Sequence, residues 1–116
     1  MIFACAHKLE NHTILKLTPV YVDGELDFWN LETDSYSIGF FNPLYFGSEK
    51  IRIEHVPFLL GKKITKATYK EKEHLKLLLE NQSFLLLSVR PEDFHGPEAA
   101  ECNFKSGEIV IFDQDE

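Results

Sequence analysis

The side chains that could do chemistry in this chain are carboxylates, five histidines and two cysteines. No two histidines lie four residues apart around a glutamate, and there is no Cys-x-x-Cys pair, so neither common zinc pattern is present. Cys5 and Cys102 lie in FACAH and AAECNF, which are typical of strand interiors, where a thiol is inert. We therefore expect no metal, no cofactor and no Cys–His nucleophile.

Other catalytic patterns are also missing. The sequence has no glycine-rich phosphate loop, no G-x-S-x-G elbow and no dinucleotide-binding fingerprint. Paired carboxylates such as Glu92 with Asp93 lie in acidic, turn-like segments that solvate them, whereas an acid catalyst needs a desolvating pocket. The sequence therefore predicts a protein that is not an enzyme.

Charge is unevenly distributed along the chain. The net charge is −7, but residues 50–76 contain eight Lys or Arg and three acidic residues, so this segment carries +5 and the remainder −12. Three windows, 23–34, 91–104 and 107–116, contain acids and no Lys or Arg. Such surfaces repel a phosphate backbone and attract a basic protein, although excess carboxylates can also serve only to keep a domain soluble.

The candidate contact residues come from the first two acidic windows and their aromatic neighbours. They are Asp23, Glu25, Asp27, Trp29, Glu92, Asp93, Phe94, Glu98 and Glu101. Glu98 is explained equally well as a local cap and as a partner contact. The other three acids of the second window are explained somewhat better as solvated surface than as partner contacts. Trp29 would anchor an interface if it were exposed within its acidic window, as Phe94 would in the second window.

These residues need a scaffold, and length and composition predict one domain spanning residues 1–116. No run of apolar residues is long enough to span a bilayer, and the start of the chain lacks the features of a secretory signal. The expectation is a cytoplasmic protein with no membrane contact. Two cysteines almost a chain length apart exclude a disulfide framework, leaving either two buried thiols or one bridge.

The pattern of the chain indicates strands joined by hairpin turns. Strands are predicted at 14–22, 26–30, 36–41 and 50–56, and 100–104 is predicted to pair with 107–112. Asp23-Gly24 is a predicted hairpin turn, and Pro19 marks its strand as an edge strand or a bulge. In 50–56, Ile51 and Ile53 are expected to point the same way. Propensity favours a helix at 64–80, but the alternation from His74 onward favours hairpin arms. The predicted fold is mainly β, an antiparallel hairpin-built sheet or β-sandwich with or without one short helix.

Residues 42–112 carry a resemblance to a known group of proteins. The order of NPLYFGSEKIRI, LLGKKITKATY, HLKLLLENQSFLLLSV, RPEDFHGPEAAEC and GEIVIF resembles small bacterial β-rich immunity proteins of contact-dependent growth inhibition and other polymorphic toxin systems. The most distinctive element is GPEA at 96–99, preceded by the aromatic Phe94, while Gln82 replaces the usual turn glycine. The resemblance implies an immunity role and brings no set of catalytic residues.

Two functions follow as hypotheses. The first is a non-enzymatic immunity protein whose acidic surfaces, the C-terminal tail included, occlude the basic active site of a cognate toxin domain. That toxin is expected to be a nuclease, and one that cleaves tRNA is among the possibilities. With a tRNA-cleaving toxin, elongation factor Tu would contact this chain only indirectly, through the toxin. No direct contact with nucleic acid is expected. The alternative is a housekeeping β domain that binds a small ligand or forms a homodimeric scaffold.

Overall fold

A computed structural model describes residues 5–113. Its strands are β1 (His12–Val22), β2 (Glu25–Thr33), β3 (Tyr36–Phe40), β4 (Leu44–Phe46), β5 (Glu49–Lys50), β6 (Lys63–Lys70), β7 (His74–Leu79), β8 (Phe84–Ser88), β9 (Glu98–Phe104) and β10 (Ile109–Asp113). Short 3₁₀ helices span His7–Leu9, Ile53–Phe58 and Pro91–Asp93. The described strands form one antiparallel sheet in the order β10-β9-β3-β2-β1-β6-β7-β8-β4-β5, so the predicted fold class is confirmed. Among the described residues, no helix is long and apolar enough to cross a membrane.

The sheet curls into two layers. Ten flat strands about 4.8 Å apart would span roughly 43 Å, but the longest extent of the molecule is 35 Å. The rings of Tyr69 in β6 and Phe112 in β10 lie 5.8 Å apart, although four strands separate β6 from β10 in the sheet order. One layer therefore contains β10, β9, β3 and β2, the other contains β6, β7, β8, β4 and β5, and the core lies between them.

Strand β1 belongs to both layers. His12 and Thr13 at its start pair with β6, whereas the stretch from Ile14 to Val22 pairs with β2. Pro19 lies in this second part, where only β2 is paired with β1, and a residue without an N–H is tolerated at such an edge-like position. The predicted strand is thus confirmed. β1 is not an edge strand of the sheet, but Pro19 lies where one side of it is unpaired and next to the register shift between Val20 and Tyr21.

Alternating apolar residues explain the core and decide the segment at 64–80. Leu75, Leu77 and Leu79 on β7 are buried, while His74 and the other intervening residues are partly exposed, which is the two-residue period of a strand. The segment therefore forms β6 and β7, as the alternation predicted and helix propensity did not. Lys72 (φ 62°) turns the chain between β6 and β7, and Gln82 (φ 71°) between β7 and β8.

The predicted strand at 50–56 is wrong. Pairing ends at Lys50, and Ile53–Phe58 form a 3₁₀ helix. Ile51, before this helix, is 7% exposed, but Ile53 at its start is 56% exposed. The His55 N–H donates to Arg52 O and the Arg52 N–H donates to His55 Nδ1, so this turn satisfies its backbone locally. Pro57 cannot donate to a sheet ladder, which also opposes an extended strand here.

Candidate binding groove

The β1–β2 hairpin extends beyond its neighbouring strands. Strand β3 pairs with β2 only from Trp29 to Glu32, and β6 pairs with β1 only at its first two residues. Residues 20–28 therefore form a two-stranded arm, which we call the hairpin arm. Asp23 (φ 53°) and Gly24 (φ 82°) form its tip with two left-handed residues, as Asp-Gly hairpin turns require.

Apolar and acidic side chains are both exposed on the hairpin arm. Tyr21 is 62% exposed and its cross-strand neighbour Leu26 is 49% exposed. Asp23, Glu25 and Asp27 are exposed beside them. The pairing skips Asp27, because Val20 pairs with Phe28 and Tyr21 with Leu26. Exposed apolar surface edged by charge is a feature that many protein-binding sites share.

A groove of about 500 Å³ begins at the base of the hairpin arm. Three parts of the chain line it: the arm, the β3–β4 connection with the start of the segment after β5, and the turn before β9. The lining residues are Leu26, Asp27, Phe28, Trp29, Phe40, Phe41, Asn42, Pro43, Leu44, Lys50, Ile51, His95, Gly96, Pro97 and Glu98. Its walls are thus largely aromatic and aliphatic, with carboxylates from two separate parts of the chain.

Asn42 lines the groove and carries an unsatisfied polar atom behind its surface. Its side chain is held because Nδ2 donates to the Ser88 carbonyl oxygen at 2.9 Å, across the end of β8. This contact fixes the orientation of the amide, and Oδ1 is left buried without a hydrogen-bond partner among the described residues. An unpaired buried polar atom costs about 1–3 kcal/mol, which favours any occupant of the groove that donates a hydrogen bond.

The charges around the groove are mixed but mainly negative. Asp27 and Glu98 lie in its lining, and Glu98 is the register partner of Asp113, whose Oδ1 is buried without a partner among the described residues. Lys50 and His95 are the basic side chains in the lining. The carboxylates in the lining therefore come from β2 and β9, and Asp113 of β10 pairs with the second of them.

The structure brings together only part of the predicted contact set. Asp27, Trp29 and Glu98 line the groove, and Asp23 and Glu25 lie on the adjoining hairpin arm. Trp29 is only 7% exposed, so it forms a wall of the groove and does not protrude as an anchor. Asp115 and Glu116 of the predicted acidic tail lie outside the described residues.

The remaining residues of the second acidic window are dispersed. Glu92 is exposed on the helix Pro91–Asp93, while Phe94 is partly buried and packs against the core. Glu101 on β9 accepts a hydrogen bond from Asn103 Nδ2 at 3.0 Å, so this carboxylate has a local structural partner that the sequence did not indicate. Residues 91–104 therefore do not form a single acidic surface.

Asp93 lies instead at a second, smaller hollow of about 260 Å³. Its carboxylate accepts a hydrogen bond from Ser88 Oγ, and His74 and Arg90 line the same hollow. Burial lowers the pKa of His74, with Lys70, Lys76 and Arg90 adding to the effect and Glu73 opposing it. The Ser88 hydroxyl is directed to the carboxylate and not to an imidazole, so this is not the order of a Ser-His-Asp nucleophile site.

The two cysteines are free thiols. Cys102 is buried on β9, and burial raises its thiol pKa to about 12, so it is un-ionised at neutral pH. Cys102 is therefore the buried filler that was predicted, and the alternative of a bridge is removed. Cys5 is only partly buried and lies outside the strands, so its predicted place in a strand interior is wrong. Among residues 5–113, no three His, Cys, Asp or Glu side chains are grouped so that they could hold a metal ion.

Sequence reasoning missed residues of both the hairpin arm and the groove. Tyr21, Val22 and Leu26 looked like ordinary strand residues, and only the length of β1 and β2 relative to β3 leaves them exposed. Asn42 had no signal beyond its place next to Pro43 between two apolar strands. The comparison of predicted strand lengths could have identified the hairpin arm, but nothing local could have identified Asn42.

No protein-family model, curated protein or solved structure matches the chain.

Proposed function

We propose that this chain is a non-enzymatic immunity protein that binds a basic toxin domain through the hairpin arm and the groove. The observation that carries the proposal is the exposure of Tyr21, Val22 and Leu26 together with three carboxylates on the hairpin arm. An apolar edge supplies contact area, and the surrounding negative charge selects and steers a cationic partner.

The distribution of the basic residues supports the same orientation. The acidic residues Glu25 and Asp27 of the hairpin arm lie on β2. Exposed lysines lie in the opposite layer, on β6: Lys63, Lys66 and Lys70. A molecule with separated charges presents its acidic end to a basic surface as the two approach. The negative end is therefore the end that would cover a cationic active site, with a nuclease as the expected toxin because its substrate is a polyanion.

The binding test uses the toxin domain encoded immediately upstream of this chain, if one is present, and measures association by biolayer interferometry at several salt concentrations. Replacing Glu25 and Asp27 by lysine is expected to slow association about tenfold or more at low salt, because steering depends on these charges. A double variant with Glu71→Lys and Glu80→Lys has the same net charge change away from the hairpin arm and should associate within about twofold of the unmodified protein.

Protection is measured as growth of cells that express the toxin with each variant. The hairpin variant is expected to protect less than the matched control. Equal association rates and equal protection for the two variants would contradict the proposed site. A chain that neither binds nor protects against the neighbouring domain would contradict the immunity function itself.

A small-ligand role is the second candidate, and the groove volume is the observation that favours it. A groove of about 500 Å³ with apolar walls is large enough for a small molecule. This function predicts an occupant whose affinity is insensitive to salt, whereas the immunity function predicts a strong salt dependence.

A further inference from the structure

The groove combines two kinds of surface, one aromatic and one acidic. Trp29, Phe40 and Phe41 give it aromatic walls, and Asp27 and Glu98 bring carboxylates from opposite segments. An occupant with an apolar stem and a cationic end would match both, because the stem removes apolar surface from water and the charge remains near the carboxylates.

Asn42 specifies what the cationic end must do. The residue is 4% exposed, lines the groove, and retains an unpartnered Oδ1 among the described residues because Nδ2 is committed to Ser88. An amide oxygen accepts hydrogen bonds and cannot donate one. Oδ1 itself is buried, so an occupant reaches it only where the groove wall shifts, and an occupant with an N–H or O–H is then favoured over a purely apolar side chain or a carboxylate.

We propose that the groove receives one lysine side chain of the partner protein. Its methylenes lie against the aromatic walls, its ammonium is held by Asp27 and Glu98, and one of its three N–H groups is donated to Asn42 Oδ1. The partner's identity as a basic protein rests on the proposed function, whereas the recognition of the side chain rests on the groove alone. Trp29 is one of the aromatic residues in the lining.

Lys50 gives the proposal a second consequence. Its side chain lies in the lining of the same groove and is positively charged, as the proposed lysine occupant is. Repulsion between the two ammonium groups weakens binding, so replacing Lys50 by glutamine is expected to tighten it. No structural role of Lys50 in the core predicts this gain, because the residue is exposed on the two-residue strand β5.

The test uses side-chain analogues and requires no toxin. Trp29 is the only tryptophan of the chain, so its fluorescence reports on the groove directly. We expect n-butylammonium to change this fluorescence saturably and 1-butanol to bind at least about tenfold more weakly, since it lacks the charge. The side-chain amide resonances of Asn42 in a ¹H–¹⁵N spectrum should shift with n-butylammonium at the same midpoint. Equal affinity for both compounds, or an unperturbed Asn42, would overturn the proposal.

Variants and a second pair of ligands complete the design. Glu98→Gln is expected to weaken n-butylammonium binding several-fold, Lys50→Gln to tighten it, and Glu71→Gln, an exposed acid in the β6–β7 turn, to leave it unchanged. Nα-acetyl-lysine methylamide should bind at least as tightly as n-butylammonium. A preference for the diamine putrescine would reassign the groove to small polyamines and contradict the protein side chain.

The two proposals fail in different ways. If n-butylammonium binds as described but the chain neither binds nor neutralises the neighbouring toxin, the immunity function falls and the groove's specificity stands. If the chain protects against the toxin and no cation perturbs Trp29 or Asn42, the lysine proposal alone is wrong.

Discussion

At the scale of single residues, Glu10 shows how one carboxylate joins the start of the chain to the sheet. Its Oε2 accepts hydrogen bonds from the Ala67 N–H of β6 at 2.9 Å and from His7 Nδ1 at 3.0 Å. The bond from Ala67 is the main reason why the pKa of Glu10 lies below its ordinary value of 4.5, and His7 adds to the effect while partial burial opposes it. The ionised form is thus favoured in the folded protein.

Replacing Glu10 by glutamine is expected to lower the free energy of unfolding at pH 7 by about 1 kcal/mol, because a neutral amide accepts these bonds more weakly. A folded-state pKa below the unfolded value gives stability that is present above about pH 4.5 and lost as pH falls through the folded-state pKa. Urea unfolding at pH 7 and pH 3 should therefore show the variant and the unmodified protein converging at low pH. A difference independent of pH would contradict this role of the charge.

The same scale shows the reach and the limit of sequence reasoning about the site. Asp27, Trp29 and Glu98 were identified from acidic windows because charge and aromatic type are visible in the sequence. Asn42 was not, since its importance comes from a contact with Ser88, forty-six residues away along the chain. Burial and pairing of a polar atom are properties of tertiary packing, and no local pattern encodes them.

At the scale of elements, the tip of the hairpin arm depends on backbone conformation. Gly24 has φ +82°, and a Cβ atom added there would meet nothing within 4 Å. Any loss of stability on substitution therefore reflects the strained conformation of an L-residue and not a steric clash. The tip holds the register in which Tyr21 and Leu26 are neighbours.

Gly24→Ala is expected to destabilise the protein by about 1 kcal/mol, since alanine disfavours the left-handed region. The matched control is Gly96→Ala: Gly96 also has open space around it, but it has no positive φ, so this change should be neutral or slightly stabilising. Thermal unfolding of both variants measures the difference. Equal melting temperatures for the two would show that the turn does not require a glycine.

Elements were predictable where local chemistry and tertiary pairing agree. The hairpin at Asp23-Gly24 and the strands at 64–80 follow from turn residues and from alternation that the packed sheet retains. The segment at 50–56 has the same alternation, yet Ile53 is exposed and the backbone forms a helical turn. Alternation alone therefore does not produce a strand where a proline follows within a few residues, because a proline cannot donate to the ladder of hydrogen bonds.

At the scale of the whole molecule, the last strand closes the curled sheet. Phe112 on β10 is fully buried and its ring meets that of Tyr69 from the other layer. Its burial joins the end of the chain to β6, which precedes it by some forty residues. The edge strand β10 is thereby packed against the core.

Phe112→Ala is expected to cost about 3–5 kcal/mol, because it removes a buried ring and leaves a cavity at the junction of the layers. Ile109→Ala on the same strand is the control, since Ile109 is 58% exposed and its loss should change stability by less than about 0.5 kcal/mol. Chemical denaturation followed by Trp29 fluorescence measures both. Similar losses for the two variants would mean that β10 contributes through pairing and not through its packing.

The strand content of this molecule was predictable, but the order of the strands was not. Alternation identifies which faces are apolar, and short turns identify sequential hairpins such as β1–β2 and β6–β7. The pairing of β3 with β9, and of β4 with β8, joins segments far apart in sequence. Those partners are selected by the fit of whole faces, which a single sequence does not display.

The sharing of β1 between the layers has a further consequence for how the protein comes apart. The backbone of β1 donates and accepts hydrogen bonds first in one layer and then in the other. If β1 unpaired from either layer, the core between the two layers would be exposed to solvent. Amide protons in the middle of both layers should therefore exchange with solvent through a single opening event, with one common protection free energy.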